Sequence, residues 1–308
     1  MLRNLTATTL LLLLSASCAT GAGAPPGIPW PGAGDWAKAP LWDDGLAEVA
    51  TYDARRRTYG QERVYEATIL TVKETFTTER WVKAESAPPA GRALEVLKQN
   101  QIERWGTQNY PYTVMTSVFV DRADAARLVK LTMGHQEWCG NTFKEWKGFE
   151  SPPTLVAHSY WEPDGDSTTT FAPGTTDEPL LLLDQLPLSL RSLPFADGFE
   201  RAARVLPTLV SSKTGEPRAA RATIRVSGSE TVACGLGSVE CWRVEVALAE
   251  GGALPSRLWF GKAAPNVLVR YAFADREGTI TRLRRWAYWD RSKPDPLDAA
   301  DPASGPRD

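Results

Sequence analysis

The sequence predicts a mainly β protein, in which a curved antiparallel sheet forms a half-barrel, barrel or sandwich with one short helix. Two observations support this fold class. Apolar and polar residues alternate along many short segments, as in Trp242, Val244 and Val246, and a half-buried strand produces this period of two. Turn residues separate the segments, as at Tyr59-Gly60 and Ser227-Gly228, and turns at such spacing are typical of sheets built from hairpins.

The predicted strands fall into two groups on either side of a polar stretch. In chain order, they cover residues 46–57, 62–76, 93–104, 112–120, 127–134, 138–147, 154–162, 204–211, 220–226, 242–248, 255–261, 267–273 and 279–289. Between the groups, Asp177 can cap a helix, Glu178 suits its positive end, and Pro179 is tolerated in a first turn. We therefore expect a helix over about residues 179–186, ending before Pro187.

Composition limits the classes of function. The chain has 308 residues, of which 43% are hydrophobic and 23% charged, so it can bury a substantial core. A formal net charge of -2 gives no electrostatic reason to bind nucleic acid. With only two histidines and four cysteines, the chain offers little material for a metal site, and we expect neither a metal nor a cofactor.

The N-terminus has the layout of an export signal. Residues 1–17 combine Arg3 with a short apolar stretch and small residues, which is typical of a signal peptide. Cys18 follows in a context that resembles the bacterial lipoprotein box, so we expect a lipid anchor at that residue. Ala19, rather than Asp, follows the cysteine, and by resemblance to sorting signals this favours the outer membrane of the cell envelope. Plain secretion with cleavage near Ala19 is the alternative.

The remaining chain divides by composition. Residues 18–40 form a Gly- and Pro-rich tether, because residues 19–40 include five Gly and five Pro. The predicted organisation then continues with an N-terminal β half (41–163), a loop with the short helix (164–199), a C-terminal β half (200–290) and a disordered tail (291–308). The two halves could still complete one sheet.

The cysteines suggest one disulfide and one unpaired thiol. Cys234 and Cys241 flank a predicted hairpin turn, and exported proteins permit disulfides, so we expect this pair to be bonded. Cys139 is then the odd cysteine. It is either a small buried side chain or a nucleophile with His135 or His158 as its base. On a strand, residues four apart are roughly 13 Å apart, so His135 could not contact Cys139 directly.

Two further features leave alternatives open. Arg282, Arg284, Trp286 and Tyr288 share one face of a predicted strand, where they either bind an acidic lipid or glycan or form a solvated face. The many tryptophans of the predicted strands either fill a core or line a concave apolar site. The chain lacks the G-x-S-x-G motif of serine hydrolases and the phosphate-binding P-loop motif, and we expect no enzymatic activity.

Two segments carry a resemblance to a known family. The segments from Tyr110 to Met115 and from Gln136 to Gly140, the latter with its Glu-Trp-Cys-Gly tetrapeptide, resemble an uncharacterised family of bacterial envelope lipoproteins. Members are sometimes labelled "septum formation inhibitor Maf", although the cytoplasmic Maf pyrophosphatases carry a motif that this chain lacks. The resemblance covers roughly residues 42–163. The C-terminal half is weakly similar to the LolA/LolB half-barrels of the periplasm, which carry lipid-modified clients in an aromatic-lined cavity.

Together these features predict a lipid-anchored, non-enzymatic envelope protein that binds an apolar or lipid-like ligand, or a lipidated partner, in a curved sheet. One alternative is a structural module with a filled core that binds an envelope protein partner. The other is an enzyme that depends on Cys139. The candidate functional residues are His135, Glu137, Trp138, Cys139 and His158.

Overall fold

One large sheet of sixteen strands organises the chain, which confirms the predicted fold class. The computed structural model describes residues 34–213, 215–249 and 255–295. The predicted signal peptide, Cys18 and most of the predicted tether therefore lie outside the described residues, as do residues 296–308 of the predicted tail.

The strands vary in length from 2 to 17 residues. The first nine are β1 (Ala47–Thr58), β2 (Gln61–Thr77), β3 (Val82–Lys83), β4 (Ala93–Gly106), β5 (Pro111–Asp121), β6 (Leu128–Glu137), β7 (Gly140–Lys147), β8 (Thr154–Ser159) and β9 (Asp166–Thr170). The remaining seven are β10 (Leu180–Leu182), β11 (Glu200–Leu206), β12 (Ala220–Cys234), β13 (Gly237–Leu248), β14 (Ser256–Gly261), β15 (Leu268–Ala272) and β16 (Arg276–Trp286).

The order of the strands joins the two halves of the chain. It runs β10-β11-β12-β13-β14-β15-β16-β1-β2-β4-β5-β6-β7-β8-β9, with β3 paired only to β2. Strand β1 pairs with β2 on one side and with β16 on the other, both antiparallel. The pair β10–β11 is parallel. Because β9 and β10 pair on one side only, the sheet is not closed.

The two ends of the sheet differ in what they carry. At the tip end lie the turns that join β1 to β2, β4 to β5, β6 to β7 and β8 to β9. At the base end lie the start of β1, the end of β16 and the preceding residues 34–46. Strands β1 and β2 contain 12 and 17 residues, so roughly 40–55 Å separate the two ends.

A short helical segment packs into the core on the inner side of the sheet. This inner helix (residues 183–192) joins three helical turns, Leu183–Gln185, Leu186–Ser189 and Leu190–Ser192. Leu186, Leu188 and Leu190 are fully buried in a core shared with the inward side chains of the sheet. Each buried leucine contributes about 2 kcal/mol of hydrophobic stabilisation. No helix among the described residues has the length and hydropathy needed to span a bilayer.

The inner helix is also held by buried charges. Arg191 donates two hydrogen bonds to the carboxylate of Glu48 on β1, at 2.7 and 2.9 Å, and another to the carbonyl of Pro265 at 2.9 Å. Asp184 lies 3.2 Å from Arg276 of β16 and accepts a hydrogen bond from the Leu209 amide at 2.7 Å. These contacts fix the orientation of the helix, because each buried ion needs its own partner.

The helix boundaries differ from those predicted. Leu180–Leu182 pair with β11 as a strand, and the helix begins at Leu183 and continues through Pro187 rather than ending before it. Pro187 lies in the first turn of Leu186–Ser189, where a helix needs no amide hydrogen from it.

The predicted disulfide is wrong in this structure, because Cys234 and Cys241 are both free thiols. The reason is the register of the β12–β13 hairpin, in which Cys234 lies opposite Gly237 and Cys241 lies opposite Glu230. This register offsets the two cysteines by four residues, about 13 Å in an untwisted ladder. A disulfide needs Cα atoms less than about 7 Å apart.

The first described residues fold onto the base end. Trp36 is only 9% exposed and Trp42 only 2%, and their rings meet edge to face with centroids 5.8 Å apart. The carboxylate of Asp43 accepts hydrogen bonds from Arg122 and Lys73. The chain is therefore packed against the sheet from Trp36 onward, which includes the last residues of the predicted tether.

The buried pair of Arg191 and Glu48 gives a stability prediction. We expect Arg191→Met to lower the free energy of unfolding by about 3–5 kcal/mol, because it leaves the Glu48 carboxylate buried without its partner. Urea unfolding of the purified protein measures the change. The double variant Arg191→Met/Glu48→Gln should recover part of the loss.

The matched control is Arg282→Met, because Arg282 forms an ion pair with Glu66 in which the two side chains are 42% and 56% exposed. The loss of this ion pair should lower the free energy of unfolding by less than about 1 kcal/mol. Equal costs for the two single variants would show that the buried pair does not hold the inner helix.

Candidate functional site

Three neighbouring hairpins bring a cluster of tyrosines together at the tip end. Tyr59 lies in the β1–β2 turn, Tyr110 precedes β5, and Tyr112 lies on β5. The turn at Tyr59-Gly60 has positive φ angles of 54° and 73°, as a two-residue hairpin turn requires at both positions. Tyrosine is strained in this conformation by about 1 kcal/mol, whereas Asn or Gly would fit it easily. The strained turn therefore directs attention to the Tyr59 side chain.

The three phenol oxygens form a tight triangle. The Tyr59 and Tyr112 oxygens are 2.7 Å apart, and the Tyr110 oxygen lies 3.3 Å from each of them. Tyr59 is 67% exposed and Tyr112 only 4%, so the triangle spans the boundary between the solvent and the core.

The β6–β7 hairpin adds a carboxylate and a thiol to the triangle. The Tyr110 hydroxyl donates to Glu137 Oε2 at 3.3 Å and lies 3.5 Å from Cys139 Sγ. The Glu137 side chain is only 3% exposed, while Cys139 is exposed. We call these five side chains the tyrosine cluster: Tyr59, Tyr110, Tyr112, Glu137 and Cys139.

Further aromatic rings lie beside the tyrosine cluster, and those of Trp138 and Tyr160 are exposed. Trp138 is 77% exposed and stacks on Tyr110, with centroids 5.9 Å apart and an angle of 17° between the rings. Tyr160 is 66% exposed and lies on Gly140, where an added Cβ would come within 2.6 Å of its ring. Trp161 meets Tyr160 edge to face, and Lys213 Nζ lies 3.6 Å from the centre of its ring. We call Tyr59, Trp138, Tyr160 and Trp161 the aromatic rim.

Beneath the cluster, stacked side chains lead into the core. Trp105 stacks on Tyr112 at 5.1 Å, and the Arg56 guanidinium lies 3.8 Å from the centre of the Trp105 ring. Arg56 pairs with Glu103 at 2.8 Å, and Glu103 lies 3.4 Å from Arg276, the residue that pairs with the inner helix. The tip end is thus connected to the inner helix through a continuous set of contacts.

The environment raises the pKa of two phenols of the tyrosine cluster, Tyr110 and Tyr112. Burial raises the pKa of Tyr112 well above its usual range, and hydrogen bonds with Tyr110 and Tyr59 raise it further. The hydrogen bond with Tyr112 lowers the pKa of Tyr110, but hydrogen bonds with Tyr59 and Cys139 and partial burial outweigh it, so the net change is upward.

His135 lies next to the cluster in a buried position. It is 6% exposed, and its Nδ1 atom lies 2.9 Å from the carbonyl oxygen of Val210. Burial lowers its pKa, so the ring is neutral at pH 7 and Nδ1 carries the proton that bonds to this carbonyl. Nε2 has no hydrogen-bond partner among the described residues and lies 4.0 Å from Glu137 Oε1.

The structure brings four of the five predicted functional residues together. His135, Glu137, Trp138 and Cys139 all lie at the tip end of β6. His158 does not join them, because its exposed side chain lies on the outer face of β8 and pairs with Asp166 at 3.2 Å. Among the described residues, neither histidine is hydrogen-bonded to Cys139. The Cys139 thiol instead lies within hydrogen-bond distance of the Tyr110 hydroxyl. Four tyrosines of the site were not among the predicted functional residues: Tyr59, Tyr110, Tyr112 and Tyr160. For Tyr59, a tyrosine before glycine in a predicted hairpin turn is a signal that the sequence contains.

The predicted face of arginines and aromatics has partners within the protein. Arg282 pairs with Glu66 at 2.6 Å and Arg284 with Asp295 at 2.9 Å. The Trp286 indole donates a hydrogen bond to the Lys293 carbonyl at 2.8 Å, and its ring meets Tyr288 edge to face. In the described part of the chain, the cations of this face are therefore neutralised by acidic side chains.

We also considered metal ligands and surface grooves elsewhere in the described residues. No group of three or more His, Cys, Asp or Glu side chains in the described ranges is arranged to hold a metal. A groove of about 410 Å³ at the base end is lined by both polar and apolar residues, among them Arg127, Trp146, Pro153 and Thr175. Neither observation points to a reaction.

Comparison with known proteins finds one distant structural similarity to report. No family model matches the chain, and no curated protein matches it. The chain is similar to the crystal structure of a DUF1089 family protein from Pseudomonas aeruginosa, with 14% sequence identity and a TM-score of 0.37. The similarity covers 57% of this chain and 84% of that one.

The lowered pKa of His135 predicts a pH dependence. Below the ordinary histidine pKa of about 6.5 the unfolded chain binds a proton that the buried ring resists, so this contribution to stability falls as the pH decreases from 7 to 5. The variant His135→Asn keeps a donor for the Val210 carbonyl but cannot titrate. We expect it to show a smaller loss of stability over this range in urea unfolding.

His158→Asn is the control, because it removes the exposed histidine. It should retain the wild-type dependence on pH. If both variants follow the wild-type curve, the His135 ring is protonated in the folded protein, contrary to its environment.

The thiols should differ in reactivity. We expect iodoacetamide to alkylate Cys139 first, because it is exposed, and Cys241 last, because it is fully buried and burial raises its pKa to about 12. Peptide mapping by mass spectrometry follows the time course of alkylation. Urea-unfolded protein gives the reference in which Cys139, Cys234 and Cys241 all react. Faster alkylation of Cys241 than of Cys139 would contradict the described packing.

Proposed function

We propose that the protein is a non-enzymatic interaction module of the bacterial cell envelope, which docks a partner protein through the aromatic rim at its tip end. The observation that carries the proposal is Trp138, an indole that is 77% exposed on a rigid platform formed by Tyr110 and its neighbours. Exposed aromatic clusters of this kind mark interaction surfaces in folded proteins.

The filled interior favours this function over an apolar ligand in the curved sheet. The inner helix occupies the space where such a ligand would lie. Beneath Pro187, between the helix and the residues of β2, β4 and β15, one cavity of the described residues has a volume of about 10 Å³. That is room for a single water molecule. A lipid-like ligand would have to displace the helix and break its buried ion pairs.

The composition of the aromatic rim fits a protein partner. Trp and Tyr are enriched among the residues that dominate binding energy at protein interfaces, where a projecting ring fills an apolar pocket of the partner. Trp138 projects in this way, and Tyr59 and Tyr160 lie around it. We therefore propose a folded partner protein with an apolar pocket that accepts the Trp138 indole.

The position of the aromatic rim suits a tethered protein. The first described residues lie at the base end, so a lipid on Cys18 would hold the base end toward the membrane and leave the rim on the opposite side. The proposal keeps the outer-membrane location that the signal sequence predicts. It also keeps the resemblance to the envelope lipoprotein family, because the family segments around Tyr110 and Trp138 meet at this rim.

The test combines crosslinking in the cell with binding measurements. A photoreactive amino acid replaces Trp138 in the full-length protein, and mass spectrometry identifies the crosslinked partner. The partner is then purified, and its affinity is measured for the wild type and for Trp138→Ala. We expect at least a 30-fold loss of affinity, which is about 2 kcal/mol, as is typical of a central interface residue.

The matched control is Trp289→Ala. Trp289 is also exposed, at 51%, but lies at the base end, and its substitution should leave the affinity unchanged. Equal losses for both variants, or crosslinks from position 138 only to lipid, would contradict a protein-docking role for the aromatic rim.

A further inference from the structure

The tyrosine cluster contains more close contacts than its protons can satisfy. The Tyr110 oxygen lies within 3.5 Å of four electronegative atoms, which belong to Tyr59, Tyr112, Glu137 and Cys139. A phenol hydroxyl donates one hydrogen bond and accepts at most two. One of the four contacts therefore lacks a hydrogen bond.

The spacing of the oxygen atoms matches that of ligands around a small cation. Adjacent ligands of an octahedral ion with bonds of about 2.0 Å lie roughly 2.8 Å apart. The phenol oxygens of the cluster are 2.7, 3.3 and 3.3 Å apart, and Glu137 Oε2 lies 3.3 Å from that of Tyr110. The oxygens of Tyr59, Tyr112 and Glu137 thus all lie within 3.3 Å of the Tyr110 oxygen.

We propose that Tyr59, Tyr110, Tyr112 and Glu137 form a binding site for a hard trivalent cation of the ferric type. Oxygen atoms are the ligands that hard cations select, and phenolate and carboxylate supply the negative charge that a trivalent ion needs. The site is independent of the docking role, because it uses the oxygens of the cluster rather than the outer faces of the rings.

The position of the residues supports the site. Three separate hairpin tips contribute donors, and Trp105 stacks on Tyr112 while the Glu137 side chain is 3% exposed. The inner donors are thus held in place by the core. Tyr59 is 67% exposed, which leaves the outer side open for a cation to enter and for solvent or a small anion to complete the coordination.

The proton balance determines the type of cation and the pH dependence. Each tyrosine that binds the ion as phenolate releases its proton to the solvent, and no electron transfer takes place. An ordinary tyrosine keeps its proton up to about pH 10, so a weakly acidic ion such as Mg²⁺ does not displace it at neutral pH. A trivalent ion does, and its apparent affinity should increase with pH.

The test uses two metal probes on the full-length protein. Ferric nitrilotriacetate should produce a visible charge-transfer band as tyrosinate binds iron. Gallium(III) nitrilotriacetate, which a thiol does not reduce, should produce the ultraviolet difference spectrum of ionised tyrosine. We expect Tyr110→Phe and Tyr112→Phe each to weaken apparent binding at least tenfold, with both signals becoming stronger from pH 6 to pH 8.

Tyr160→Phe is the matched control, because Tyr160 lies in the aromatic rim but outside the oxygen cluster. It should bind both metals like the wild type. Circular dichroism and the thermal midpoint show whether each variant is folded. Absence of both signals in the wild type, or equal signals in folded Tyr110→Phe, would overturn the proposed site.

Discussion

The arrangement of this protein depends on the burial of charged residues around the inner helix. The inner face of the sheet needs apolar cover, and residues 183–192 pack into the core on this face. Leucines provide most of the apolar contact, but they would permit several orientations of the helix. Two ion pairs select a single orientation of the helix: Arg191 with Glu48, and Asp184 with Arg276. Any rotation of the helix would leave a charge buried without a partner.

The same charges connect the interior to the tip end. Arg276 contacts both Asp184 and Glu103, and Glu103 contacts Arg56, which lies on the Trp105 ring beneath Tyr112. The tyrosine cluster therefore rests on a layer of side chains with satisfied charges rather than on a flexible loop. This support makes the three hairpin tips a surface of defined shape, which both proposals require.

Much of the sheet could be predicted from the sequence, because the alternation of apolar and polar residues directly indicates half-buried strands. The segment predicted at 46–57 corresponds to Ala47–Thr58, and that at 62–76 to Gln61–Thr77. Features that depend on strand register were harder to predict from the sequence. The expected pairing of Cys234 with Cys241 failed because a turn of two residues, rather than a longer one, sets the partners of each cysteine. The cluster around Tyr110 depends on the order of three hairpins in the sheet, and local sequence does not contain that order.

The position of β1 has a consequence for how the chain folds. One edge of β1 pairs with β2, the next strand in the sequence, but the other pairs with β16, more than two hundred residues later. Contacts between such distant residues slow folding, since the closure of a long loop precedes any gain in energy. During synthesis, the first strand thus has an unpaired edge until the last strand has been made. Chains with unpaired strand edges associate readily, so association competes with folding until the last strand pairs with the first.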